Sequence, residues 1–281
     1  MTLSLVDVEP EPLVLVQALD VGRHGPVPRT IAVQRGRVRG LPAGLEALVL
    51  AADLQARALP PWGQDGLRLV GEPVAEALAG LGEAGTLPPA DRTGVVLAGD
   101  LWSDPACKKM GGLGDVRPVW RAFASRFRWV AGVAGNHDAF GHPRERSAFV
   151  AEERTHLLDG DLVELDGLRI GGVGGIVGDP RRPNRRDAID QTDLVLSVLS
   201  RGVDLLVVHE GPDVPGSDLP GEPALREALE VAEDRASVVC GHVHWKQPGA
   251  RLGRRQVLNV DARVLVLVPD QDCRSGTPSP P

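Results

Sequence analysis

Cysteine is scarce in this chain: 281 residues hold three, Cys107, Cys240 and Cys273. They are too few and too scattered for a disulfide framework or a zinc-finger spacing, which predicts a reduced, cytoplasmic setting. No window approaches 18 uninterrupted apolar residues, so no helical membrane span is expected. Residues 1–12 lack the basic start of a secretory signal and carry Asp7, Glu9 and Glu11 instead, which predicts no such signal. Basic excess is missing too. The net charge of −7 argues against a nucleic-acid coat protein and leaves room only for a local phosphate-binding patch.

What the chain does have is glycine and proline, 34 and 24 residues, about a fifth of the total. Many tight loops follow, which favours a strand-rich fold over a helical bundle. Apolar runs of strand length recur at 13–19, 47–51, 94–98, 128–134, 203–208, 236–240 and 263–268. Because consecutive positions are apolar, these strands are expected to be covered on both faces. Helical spacing appears between them at 72–81, 116–127, 144–154, 187–199 and 222–234. The order is βαβα, interrupted at 161–177, where Asp166-Gly167 between two runs reads as a β-hairpin. Residues 1–44 read as an N-terminal β extension packed on a main domain at 45–268, and 269–281 as a disordered tail.

Metal-binding residue types stand at the carboxyl ends of one apolar run after another. Asp53 and Gln55 follow the second run, Asp100 the third, Asn136, His137 and Asp138 the fourth, His209 the fifth, and His242 and His244 the sixth. In an α/β sheet those ends share one edge, where ligands bind, so five segments aim their donors at one place. Carboxylate, amide and imidazole donors suit Mn, Fe, Zn or Ni better than Ca. Two divalent ions about 3.5 to 4 Å apart need a shared ligand, and Asp100 is the best placed bridge.

The series Asp53-x-Gln55, Gly99-Asp100, Gly135-Asn136-His137-Asp138, His209 and Gly241-His242-x-His244 resembles the calcineurin-like metallophosphoesterase superfamily. The superfamily pattern is D-x-H, G-D-x-x-D/N, G-N-H-D/E, H and G-H-x-H, in that order. The resemblance implies an α/β four-layer sandwich, two packed mixed β-sheets flanked by helices, with a dinuclear site at one edge. It implies Asp53, Asp100 and His244 on the first metal, with Gln55 where the family usually has His. Asp100, Asn136, His209 and His242 take the second metal. It gives His137 the catalytic role of contacting substrate phosphate and assisting the leaving group, with Asn136 also at the substrate. A hydroxide bridging two metals, most readily Mn, would attack phosphorus in line.

Two positions depart from the pattern. Ser103 stands where the family has a second acid or amide, so its hydrogen bonds are expected from Asp104 or elsewhere. Gln55 also looks like the Mn-dependent ADP-ribose and CDP-alcohol pyrophosphatase branch, which raises a nucleoside-diphosphate substrate. His24, in a loop, is a candidate for the donor missing at Gln55, while His142 and His156 read as structural. Arg181, Arg182, Arg185 and Arg186 are a solvated loop or a phosphate clamp on the rim, with Arg181 and Arg182 the substrate candidates. Lys108 and Lys109 read as exposed, and Trp102 and Trp245 as pocket walls or base-stacking rings. The expected activity is hydrolysis of a small phosphorylated metabolite or nucleotide, with no membrane partner and nucleic acid disfavoured. The competing class is an inactive scaffold of the same fold, which bound metal and turnover of an artificial diester would distinguish.

Overall fold

The computed structural model describes residues 3–23, 25–59, 68–109 and 111–270. Two mixed sheets face each other. The larger runs Thr155–Leu157, Trp129–Gly132, Thr93–Leu97, Ala47–Ala52, Arg263–Pro269, Gly25–Arg39, Val14–Gly22 and Arg57–Ala58, with Ser4–Val8 also paired to Gly25–Arg39. The smaller runs Asp161–Leu165, Leu168–Val173, Leu205–Glu210, Ser237–Gly241, Arg255–Asn259 and Gly249–Leu252.

Alternation along the strands sorts their side chains into layers. Leu48, Leu50 and Ala52 enter the core between the sheets, where they meet Leu205, Val207 and Val239. Ala47, Val49 and Ala51 point the other way, under the helices Gly71–Glu83, Arg117–Ala124 and Pro143–Val150. Leu206 and Val208 of the second sheet likewise pack under Ala188–Ser200 and Pro223–Val231. The result is the four-layer α/β sandwich expected, and its doubly buried strands are why the apolar runs were continuous.

The expected helices all form; Gly71–Glu83 is longer than expected, Ala188–Ser200 is shifted by one residue, and the other three are shorter. Asp187 caps its helix by accepting from the Asp190 amide at 2.9 Å, and Glu222 accepts from Ala224 at 2.9 Å. The last helix stops at Val231 because Ala232 turns extended. The helix expected over 144–154 ends at Val150, and Arg154, at φ 68°, leads into the next strand. The hairpin turns at Asp166 and Gly167, both at positive φ, but its second strand stops at Val173. Ile176–Val177 pairs separately, in parallel, with Arg185–Arg186.

The strands Ser4–Val8, Val14–Gly22 and Gly25–Arg39 are hydrogen-bonded members of the larger sheet, joined to its remainder through the parallel ladder from Val33↔Val264 to Val38↔Pro269. The tail expectation needs correcting at its start. Pro269 ends a strand, and Asp270 is docked: its amide donates to Val38 O at 2.9 Å and its buried carboxylate accepts from Arg39 Nε at 3.0 Å. Residues 271–281, like His24, lie outside the described residues.

Candidate active site

Parallel ladders link Ala47–Ala52, Thr93–Leu97 and Trp129–Gly132, so Asp53, Asp100 and the 135–138 turn leave the sheet along one edge. His209 and His242 end parallel neighbours in the second sheet. Asp53, Asp100 and His242 hold φ of 54°, 53° and 66°, left-handed backbone that non-glycine residues rarely adopt. Such strain persists only where surrounding contacts over-determine it, and it clusters at functional sites. Two glycines allow the close packing. A Cβ on Gly135 would lie 2.1 Å from Asp100 Oδ1, and one on Gly241 2.1 Å from Asp53 Oδ2.

Asp100 is the hub. Its Oδ1 accepts from the His137 amide at 2.8 Å, and its Oδ2 accepts from Gln55 Nε2 at 2.9 Å and faces His209 Nε2 at 3.4 Å. Among the described residues, Asp100, His209 and His242 bring one ligand atom each within 4.8 Å of one another. Asn136 is buried, with Oδ1 3.2 Å from His209 Nε2. A carbonyl can only accept, so His209 Nδ1, 2.8 Å from Ala98 O, carries a hydrogen, and Nε2 is the nitrogen that faces Asp100 and Asn136. Asp53 reaches the same edge from behind, its Oδ2 accepting from the His242 amide at 2.8 Å. His244 stands further out, 68% exposed, with Nδ1 2.8 Å from Asp261 Oδ2. Neither Asp53 nor His244 belongs to the tight group around Asp100.

Electrostatics shows what the cluster is built to hold. Burial and the neighbouring Asp100 and Asp261 carboxylates push the Asp53 carboxyl well up, against the opposing pull of His209. Burial would depress the His209 imidazole, yet Asp100 and Asp53 push it up to about 10. Burial also raises the Asp100 carboxyl, but the positive His209 beside it holds it below the usual range. His242 falls to about 4 through burial and repulsion from His209. Buried carboxylates that force a buried imidazole to stay protonated are a pocket that lacks positive charge. With mixed oxygen and imidazole donors, the residues fit divalent transition metals.

Two acids that the sequence reading left without a role support these donors. Buried Asp138 accepts from the amides of Asp100, Leu101 and Gly135 at 2.8, 2.8 and 2.9 Å. Burial and the nearby Asp100 charge push its carboxyl up to about 6. Asp261 orients His244. No spacing signal could have found Asp261, but Asp138 lay inside the Gly135-Asn136-His137-Asp138 motif. Asp104, one of the sources expected for the bonds missing at Ser103, caps its own turn by accepting from Ala106 and Lys108.

His137 Nδ1 donates to Gly112 O at 2.6 Å, leaving Nε2 3.9 Å from Asp100 Oδ2. Gln55 turns its amide nitrogen, not its oxygen, to Asp100. Arg181 is not drawn in: it is 89% exposed and paired with Asp179. Arg182 is exposed as well, and Arg186 bonds Asp159 and Gly174 O. Trp245 is core, its Nε1 donating to Pro220 O, whereas Trp102 is half-buried and lines a cleft with Gln55 and Ser103.

A layered sandwich with imidazole and carboxylate donors converging at one sheet edge defines a metallophosphoesterase. The calcineurin-like phosphoesterase family model matches residues 72–246, more than half of the chain, and the protein belongs to that family. One solved structure, 11% identical, aligns over 79% of this chain and 91% of its own at a TM-score of 0.53, a likeness of fold. Weaker likenesses are a 5'-nucleotidase precursor from Thermus thermophilus and a protein of unknown function from Aquifex aeolicus. The first is 16% identical over 79% of this chain and 48% of that one, at a TM-score of 0.37. The second is 15% identical over 78% and 95%, at 0.36. No curated protein matches the chain. Among the described residues, no helix is long and apolar enough to cross a membrane.

Proposed function

We infer that the protein is a metal-dependent hydrolase of a small phosphorylated metabolite or nucleotide. The observation that carries this reading is the convergence of Asp100, His209 and His242 in a buried, cation-deficient pocket, with His209 Nε2 turned into it by the bond from Nδ1 to Ala98 O. Asp100, Asn136, His209 and His242 would hold one divalent ion. Asp53, Asp100 and His244, with Gln55 beside them, would hold the second. The oxygen-rich second set favours Mn. When bound, the ions supply charge to the phosphoryl oxygens and acidify a water.

The chain's own groups do the rest. The Gly112 carbonyl fixes the His137 ring, so Nε2 is available to hydrogen-bond the phosphate or the leaving oxygen. Asp138 fixes the Asp100 backbone, and Asp261 fixes His244. Arg181 and Arg182 reach a substrate only if their loop turns inward from its bond to Asp179.

The test is metal analysis of the purified protein, then a Mn-supplemented panel of a phosphomonoester, a bis-aryl diester, a cyclic nucleotide, ADP-ribose and RNA. Turnover of the small esters with stoichiometric metal supports the reading. Protein that binds no divalent metal and turns over nothing refutes it.

A further inference from the structure

The strands Val14–Gly22 and Gly25–Arg39 form a hairpin in register from Val14↔Val33 to Gly22↔Gly25. Val33 is also level with Val264, and Val264 with Ala51, two residues before Asp53. Residues 25–32 therefore run beyond the sheet on the side of the candidate active site. At about 3.3 Å per residue the arm extends about 26 Å past that level. It precedes the residues matched by the family model.

Two contacts tie this arm to the site: Ala18 and Leu19 pair with Ala58 and Arg57 just after Gln55, and Leu19 O accepts from Cys107 Sγ at 3.7 Å. Within the arm, Asp20 is braced by Arg29 at 2.7 Å. Between arm and site lies a cleft of about 50 Å3, lined by Asp20 and Val21 of the arm and by Gln55, Trp102, Asp104 and Lys109 among others. Gln55 also bonds Asp100, and the lining residue Gly111 precedes the carbonyl that holds His137. The cleft thus adjoins the residues that hold Asp100 and His137.

We propose that the hairpin is the outer wall of a leaving-group subsite that selects phosphate esters of polyhydroxylated, sugar-like alcohols over esters of apolar alcohols. The inference rests on the hydrolase reading above. Its chemistry is that of the lining: the Asp20 and Asp104 carboxylates and the Gln55 amide accept from hydroxyls, Lys109 donates, and Trp102 offers an aromatic surface. An apolar alcohol would desolvate these groups without replacing their partners.

The test compares kcat/KM for ribose 5-phosphate and n-pentyl phosphate, both esters of primary alcohols, which share a phosphoryl group and differ in the hydroxyls of the alcohol. Mn-supplemented wild type, Val21→Phe and Leu15→Ser are used; Leu15 is 50% exposed on the same strand and outside the cleft. Wild type should prefer the ribose ester. Val21→Phe should cut that preference about tenfold, chiefly through KM, the order that one altered pocket contact costs, while Leu15→Ser keeps it. A wild-type preference for n-pentyl phosphate, or one unchanged in Val21→Phe, overturns the subsite. If wild type hydrolyses neither ester, the hydrolase reading fails by itself, and calorimetric binding of ribose 5-phosphate decides the subsite: about tenfold weaker binding in Val21→Phe upholds it, and equal or absent binding overturns it. Should Val21→Phe not fold, Asp20→Asn replaces it with the same criteria.

Discussion

The carboxylate of Asp138 accepts the backbone amide of Asp100 at 2.8 Å, and with the same two oxygens it accepts Leu101 and Gly135. Two loops that leave different strands are thereby held as one unit around the residue that faces both His209 and Gln55. An amide in this place keeps one acceptor oxygen and turns a donor toward an N–H. Asp138→Asn should therefore cost about 2–3 kcal/mol, the scale of a lost charged hydrogen bond with an unsatisfied partner. Thermal melting should show a drop of about 5–10 °C. A melting temperature within a degree of wild type would refute the bracing role.

Asp100→Asn and His137→Ala should fail differently. The first removes the charge on which His209 and Gln55 converge, and hydrolysis should fall more than tenfold, above about 1.4 kcal/mol of barrier. The second should cut turnover while metal content after dialysis stays at the wild-type level. Metal depletion in His137→Ala would make His137 a ligand instead.

Gln55→His probes the position where this chain departs from the family pattern. An imidazole there adds a nitrogen donor and removes the present bond to Asp100. Titration of metal-stripped protein should show tighter Zn binding with little gain for Mn. Identical affinities in both proteins would place Gln55 outside the metal's reach.

The pH dependence of stability follows from His209, whose imidazole is pushed from its usual 6.5 up to about 10. The folded state binds that proton more tightly than the unfolded chain. Its stabilisation is full below about 6.5 and is lost as pH rises through about 10. Protein kept in a chelator should thus melt progressively lower between pH 7 and 10. Saturating Mn should flatten that slope, because a cation replaces the proton. Equal slopes with and without metal would contradict the electrostatic account.

Much of this arrangement was legible in the sequence because burial and chemistry coincide there. Strands such as Ala47–Ala52 are apolar on every position, so the polar residue that ends each run, Asp53 or Asp100, stood out. Asp261 was not legible, because it meets His244 across a separate segment with no fixed spacing. Nor was the reach of the hairpin, which depends on the register of Val33 against Val264 and not on the residues of the arm. Asp270 escaped because it is anchored by Arg39, 231 residues earlier, while its neighbours lack apolar periodicity. Arg181, read as either a solvated loop residue or a phosphate clamp, is exposed and paired with an aspartate two residues away.

The bond from the His242 amide to Asp53 Oδ2 joins a residue that ends a strand of one sheet to a residue that ends a strand of the other. The metal edge is therefore also the seam of the sandwich. A cation coordinated by groups from both sheets would act as a clasp, and its affinity would include the work of keeping the layers in register. The linkage is reciprocal. Substitutions deep between the sheets, at Leu50 or Val239 and remote from any donor, should loosen the grip on metal, and metal should in turn slow hydrogen exchange in the amides of that shared core.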